Sequence, residues 1–257
     1  GEYPISVDNK SFVVKLLNGV KKTLLKSVDG FGCYSNTTIK LLESYGIEKQ
    51  KLFLVPQTID FEYVKKFKKY IALDEPIKII IVTQVIKRKR IDLIIDYLKR
   101  QEVLSKNFEI TIVGGGDELE NIKNQTLSMP QNIKINFTGK LMFDDVLQTV
   151  SDSHFLLFQT MEDIWGYVTN EGLTLGKPII VSNLAVSSEL IKNGYNGFKY
   201  NPNDYKEFID IIKTIEKMDI ETYKDMCNNA FNTSEEFHQN RPSEVYRNFI
   251  NLLNIGE

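Results

Sequence analysis

From residue 77 onward, short apolar runs alternate with amphipathic stretches, and this alternation limits the possible folds more than any other feature of the chain. IKIIIVT (77–83) precedes IDLIIDYLKRQEVL, FEITIVGGG (108–116) precedes DELENIKNQTL, and IKINFTG (133–139) precedes FDDVLQTVSDS. HFLLFQT (154–160) is then followed by YVTNEGLTL, and KPIIVSN (177–183) by VSSELIKN. Near-continuous Ile, Val and Phe runs imply strands buried on both faces, and helices between them imply right-handed crossovers. The expected fold class is therefore α/β, a Rossmann-like doubly wound parallel sheet. GFKYNP reads as a turn-like segment. DYKEFIDIIKTIEKM and ETYKDMCNNAFNTSEEF repeat apolar residues at helical spacing, and PSEVYRNFINLLN opens a last helix on a proline.

Residues before 77 pattern differently. SFVVKLLNGVKKTLLKSV and TTIKLLESYG read as helices, and GFGCYSN and KLFLVPQ as strands, without a clear sheet of their own. The lysine-rich EYVKKFKKY (62–70) reads as a solvated helix face or an exposed connection. The chain opens on Gly1 rather than Met and carries no signal-peptide pattern, so we read it as a truncated sequence with a tag remnant.

Charge and cysteine content bear on partners. The 32 basic and 34 acidic residues nearly cancel, which removes whole-molecule attraction to nucleic acid and leaves any anion site local. Cys33 and Cys227 have no metal-ligand spacing and fit reduced thiols of a cytoplasmic protein.

In an open parallel sheet, ligands bind beyond the carboxyl ends of the strands, and three of those ends are unusual. The first strand runs into Gln84 and the cations Lys87, Arg88, Lys89 and Arg90, of which one or two suffice to meet a phosphate. The second ends in Gly114, Gly115 and Gly116, where backbone can approach a ligand, with Asp117 and Glu120 placed for a capping box. A dinucleotide fingerprint is broken there by Leu119 and by the lack of an acid after the next strand, which argues against NAD. At the third end, Gly166 and Tyr167 stand where a helix begins, a ready anion site. Glu171 lies one turn inside that helix and Asp163 eight positions before it, two carboxylates able to accept from vicinal hydroxyls. His154, inside an apolar strand, reads as a packed core residue, and His238 as a surface one.

D163-I-W-G-Y-V-T-N-E171, followed by GKPII, resembles the acid-x7-Glu signature of the retaining GT-B glycosyltransferases grouped as glycosyltransferase family 4. SNTTIKLLESYGIEKQKLFLVPQTID, VTQVIKRKRID, IVGGGDELE, FTGK and NGYNGF follow in the family's usual order, so the resemblance covers roughly residues 28 to 200. It implies the donor-binding half of such an enzyme: 1–75 a remnant of the acceptor domain and interdomain segment, 76–235 the nucleotide-sugar-binding domain, 236–257 a C-terminal helix. It also implies roles. Glu171 would grip the donor's ribose, Asp163 would hold the transferred sugar, and Lys89 would neutralise the leaving diphosphate. Backbone at Gly166, Tyr167 and Val168 would meet the phosphates, Gly139 and Lys140 would face the base, and the three glycines would close the same wall. No metal or other cofactor is implied.

The chain departs from the pattern at two points. Asp163 replaces the commoner Glu, with Glu162 beside it as the alternative and Trp165 setting the register. Gln84 replaces a phosphate-loop arginine, for which Arg88 or Arg90 would substitute. The partners implied are a nucleoside-diphosphate sugar and a saccharide or lipid-linked acceptor, the latter held by a missing N-terminal domain. This chain alone would bind donor without transferring sugar, and the full-length protein would be cytoplasmic, with peripheral association at the inner membrane face left open. A nucleotide-sugar 2-epimerase and a non-catalytic nucleotide-binding module are the competing readings.

Overall fold

The computed structural model describes residues 23–55, 57–100 and 104–239, together with 245, 247 and 249–251. Two compact units divide between Gln57 and Thr58, with the described residues after Gln239 grouped with the first. The helix expected over 11–28 and the helix closing the chain lie largely outside the described residues. In the first unit, β1 (Phe31–Cys33) and β2 (Leu52–Leu54) pair in parallel, joined through α1 (Asn36–Ser44), so the two strand expectations there meet in a small sheet of their own. Ser35 starts α1 by accepting from the Thr38 amide at 3.0 Å.

The second unit carries the sheet expected from the alternation. After α2 (Phe61–Lys65) come β3 (Ile77–Val82), α3 (Ile91–Arg100), β4 (Phe108–Val113), α4 (Leu119–Gln125), β5 (Ile133–Gly139) and α5 (Phe143–Ser151). They are followed by β6 (Phe155–Phe158), α6 (Tyr167–Thr174), β7 (Ile179–Ser182), β8 (Gly197–Tyr200), α7 (Tyr205–Glu216) and α8 (Ile220–Gln239). The six strands are parallel, in the order β5-β4-β3-β6-β7-β8. The chain therefore builds outward from β3 in one direction, crosses back, and builds outward from β6 in the other.

Two apolar layers flank this sheet. Ile91, Ile94, Ile95 and Leu98 recur at helical spacing on α3 and join Ile122 of α4 and Phe208, Ile212 and Ile215 of α7 on one face. Val64, Leu147, Val150 and Leu173 bring α2, α5 and α6 onto the other. At about 25 cal/mol per Å² of apolar surface, this two-sided burial is the main force holding the strands' carboxyl ends in line.

Several local expectations change. GFKY is the sixth strand rather than a turn, registered on β7 from Ile179↔Gly197 to Ser182↔Tyr200. VSSELIKN forms only a tight turn over Val186–Leu190, because Val186 and Ser187 donate backward to the carbonyls of Asp163 (3.4 Å) and Trp165 (3.1 Å) instead of entering a helix. Asp117 does not cap α4: the helix starts after Glu118, whose amide donates to the Val85 carbonyl at 3.1 Å, and no side chain caps it. In the lysine-rich stretch, Phe61 and Val64 are buried, while Lys68 sits 3.4 Å from the Phe231 ring centroid and Lys69 pairs with Asp152. His154 is a core residue: burial lowers its pKa, Nδ1 accepts from the Lys78 amide and Nε2 faces the Ala72 carbonyl, both at 2.8 Å. His238 is partly buried, stacked on Phe61 with ring centroids 4.6 Å apart.

Candidate functional site

The point where strand order reverses, between β3 and β6, is where open α/β sheets part their loops and leave a crevice. The two loops that meet there are Thr83–Arg90 and Gln159–Gly166, two of the three singled out in the sequence. They are tied backbone to backbone by the Met161 amide, which donates to the Arg88 carbonyl at 3.0 Å.

Lys89 and Asp163 form the centre of the junction. A tight turn over Lys87–Lys89 turns Lys89 inward until only 5% of it is exposed, with Nζ donating to Asp163 Oδ2 and lying 4.8 Å from the Phe158 ring centroid. Burial lowers the lysine's pKa, and the hydrogen bond and charge of Asp163 oppose that shift. Arg88 donates to the Glu162 carbonyl at 2.9 Å and comes within 3.7 Å of Asp163 Oδ2. Arg90 turns elsewhere, forking onto Asp92 at 2.9 and 3.0 Å. Of the two neighbouring arginines, Arg88 is thus the one at the junction. Gln84 is exposed at the start of the loop.

The acidic pair at 162 and 163 divides clearly. Glu162 is exposed, and it is its backbone that is engaged, its carbonyl accepting from Thr160 Oγ1 at 2.8 Å as well as from Arg88. Asp163 points its carboxylate inward, Oδ1 accepting from the Trp165 amide at 3.2 Å. Trp165 is buried, stacks on Phe237 and donates through Nε1 to Asn170 Oδ1 at 2.8 Å, which fixes the loop to the second turn of α6. Trp165→Phe should cost about 1 to 2 kcal/mol in chemical denaturation, because it leaves the buried Asn170 oxygen without its donor.

Gly166 begins α6 with φ of 91°, and a Cβ there would lie 2.2 Å from Phe158 Cε1. No other residue type fits both the backbone angle and the ring. The same Phe158 therefore sits beneath Lys89 and against the glycine that opens the helix. With no side chain capping α6, its first turn keeps the partial positive charge of a helix start, at Tyr167 and Val168. One turn on, the Glu171 side chain is partly buried, its carboxylate makes no hydrogen bond or ion pair with the described residues, and burial alone pushes its pKa up to about 7. A carboxylate desolvated without a partner is costly.

At two of its three positions the glycine wall packs closely against backbone. A Cβ on Gly114 would lie 1.8 Å from the Thr83 carbonyl oxygen, and one on Gly116 would lie 2.3 Å from that of Val85. These glycines let the loop after β4 run against the loop after β3, stitched by Thr83 N to Val113 O and Val85 N to Gly115 O, both 3.0 Å. Gly115 faces the Lys140 side chain. Gly139 has open space where a side chain would be, but its carbonyl already accepts from Gly114 N (2.8 Å) and Thr138 Oγ1 (2.9 Å).

Phe158, Asn170 and Thr160 support the site and were read from sequence only as strand or helix residues. Nothing in their spacing distinguishes a Phe under a lysine from a Phe in a core. Among the described residues, no three His, Cys, Asp or Glu side chains gather where they could hold a metal ion, and no helix is long and apolar enough to cross a membrane.

Comparisons with known proteins bear on the family and the fold. The chain is 30% identical over 128 residues to a glycosyltransferase of Methanocaldococcus jannaschii and 24% identical over 123 residues to the O-antigen chain mannosyltransferase RfbU of Salmonella typhimurium. Each match takes in 48% of this chain and 34% of the relative, so the chain spans about a third of the length of either. Among solved structures, a glycosyltransferase from Rickettsia africae superposes with a TM-score of 0.74 at 19% identity, over 91% of this chain and 67% of that one. Anabaena Alr3699/HepE in complex with UDP superposes with a TM-score of 0.75 at 16% identity, over 98% and 70%. These structures share the fold, an α/β glycosyltransferase architecture built on a parallel sheet. The family model described as "Glycosyl transferases group 1" matches residues 63–233, the whole of the β3–β8 sheet with its helices, and the chain belongs to that family.

Proposed function

We propose that this chain is the donor-binding half of a retaining glycosyltransferase that moves a sugar from a nucleoside diphosphate to a saccharide or lipid-linked acceptor. The observation that carries the reading is Glu171. A partly buried carboxylate with no partner, one turn inside an uncapped helix, is held ready for donors that a ligand must bring, and the vicinal hydroxyls of a ribose supply two. Asp163 would accept from the transferred sugar. Lys89 and Arg88 would offset charge on the departing diphosphate, a contribution of several kcal/mol in a site closed to water, and no metal would be needed. The acceptor and its binding groups would come from sequence outside this chain, so the chain by itself would bind donor and not transfer. The relatives support the class of ligand: the Anabaena protein has been crystallised with UDP and with UDP-glucose, and the Salmonella relative is named a mannosyltransferase.

Trp165 is the only tryptophan, so its fluorescence reports on the loop that carries Asp163. Titration with UDP, GDP, ADP and NAD, followed by fluorescence and calorimetry, should show micromolar to millimolar binding of UDP or GDP and none of NAD. Absence of binding by every nucleoside diphosphate would refute the donor-site reading.

A further inference from the structure

We infer a second ligand site, for a neutral saccharide, on the far side of the turn that carries Lys89. A cavity of about 290 Å³ opens between the loop after β3 and helix α4 (Leu119–Gln125). Its floor is apolar, made by the buried Val85, Ile91 and Ile122. Its rim holds two cations, Lys87 and Arg90, two acids, Asp92 and Glu118, and the amides of Asn121 and Gln125. Neither Glu171 nor Asp163 lines it.

The ligand class follows from this lining. Two cations and two acids cancel, so the rim has no net charge with which to hold a free phosphate or metal ion. Apolar floor beneath a ring of charged and amide groups suits a molecule with an apolar C–H face and hydroxyls around its edge, which accept from Lys87 and Asn121 and donate to Asp92 and Glu118. The volume is at the lower end for small-molecule sites and fits a sugar ring better than a nucleotide.

The position of the cavity gives the site a consequence. Lys87–Lys89 is one tight turn, closed by Lys89 N to Ile86 O (2.9 Å) and Arg90 N to Lys87 O (3.1 Å). Lys89 leaves it toward Asp163, while Lys87 and Arg90 leave it toward the cavity. Arg90 is the one non-glycine residue at positive φ (46°) among the described residues, in a conformation that costs about 1 to 2 kcal/mol and is braced by its fork onto Asp92. A ligand that bonds Asp92 or Arg90 loosens or tightens that brace and so shifts the turn that places Lys89. Binding in the cavity and binding of a nucleoside diphosphate are then coupled, equally in both directions. The coupling rests on Lys89 serving the donor; the saccharide site does not.

Saturation-transfer NMR on the whole chain with glucose, galactose, mannose and N-acetylglucosamine, in the presence of saturating UDP, tests the site. Transfer to at least one sugar is expected. It should disappear in Asn121→Trp, where an indole from an exposed position of α4 fills the cavity while UDP still binds; Gln125→Trp serves if the first variant does not fold. Transfer to none of the four sugars, transfer that UDP displaces, or transfer that survives the filling variant overturns the site. Saturating sugar should change the UDP dissociation constant by about threefold or more. An unchanged constant, with UDP and sugar both bound, overturns the coupling, whereas failure of UDP to bind refutes the donor reading and leaves the sugar signal of the UDP-free protein to judge the site.

Discussion

Glu171→Gln is expected to weaken UDP binding about tenfold or more while making the unliganded protein more stable at about pH 8. The two effects have one cause. Burial pushes the Glu171 carboxyl from 4.5 up to about 7, so the folded state prefers it protonated. A group whose pKa is raised on folding contributes its full stability below the unfolded value and loses it as pH rises through the folded one. Here the loss runs from about pH 4.5 to about pH 7. A shift of this size corresponds to at most about 3.5 kcal/mol, at 1.4 kcal/mol per unit. Glutamine has the shape of the protonated acid and does not titrate, so the variant should match the wild type at acid pH and exceed it above neutrality. Urea denaturation across this range measures the difference directly. Binding should move the other way, because a charged acceptor contributes about 1.5 to 3 kcal/mol to hydrogen bonds from hydroxyls. In the wild type, UDP affinity should fall as pH drops through about 7, and in the variant it should be flat. A variant that binds UDP normally, or is no more stable at alkaline pH, removes Glu171 from the site.

The residue types of the candidate site were legible in the sequence, whereas its geometry was not. The alternation from residue 77 reflects burial on both faces of a sheet, and burial dominates the energetics, so five of the six strands of the main sheet are legible as apolar runs. The sixth, Gly197–Tyr200, is four residues long and includes Lys199, and it is held by register on β7 rather than by a run of its own. The loops were marked by their residue types: a glycine at 166, acids at 163 and 171, lysine and arginine at 87 to 90. Their directions were not. That Arg90 turns away from Asp163 while Lys89 turns in depends on one αL residue closing a turn, and that Gly114 and Gly116 pack against carbonyl oxygens depends on how two loops pass each other. Both are tertiary facts with no local spacing to signal them. Asp117 shows the same limit, since its helix start was displaced by the hydrogen bond from the Glu118 amide to Val85, 33 positions earlier.

The Lys89–Asp163 pair should behave as a unit whose halves cannot be removed singly without cost. Lys89→Met keeps the apolar stem against Phe158 but leaves Asp163 facing only Arg88 at 3.7 Å and the Trp165 amide. Asp163 is 17% exposed at its side chain, so water offsets part of the loss, and the destabilisation should be about 2 kcal/mol rather than the 3 to 5 of a fully buried broken pair. Asp163→Asn strands the opposite charge. Burial already lowers the Lys89 pKa, and without Asp163 nothing opposes it, so the ammonium releases its proton more readily in the folded state than in the unfolded one. Stability of Asp163→Asn should therefore rise with pH toward about 10, the opposite slope to that given by Glu171. The double variant should recover much of what either single loses, a coupling that a denaturation cycle resolves. Ligand chemistry separates Glu171 from the lysine. Lys89→Met should weaken UDP by about a hundredfold or more, since a buried cation meeting a diphosphate is worth several kcal/mol, and should leave uridine nearly unaffected. Glu171→Gln should weaken UDP and uridine alike. Equal effects of Lys89→Met on the two ligands would place the diphosphate somewhere other than the crevice between β3 and β6.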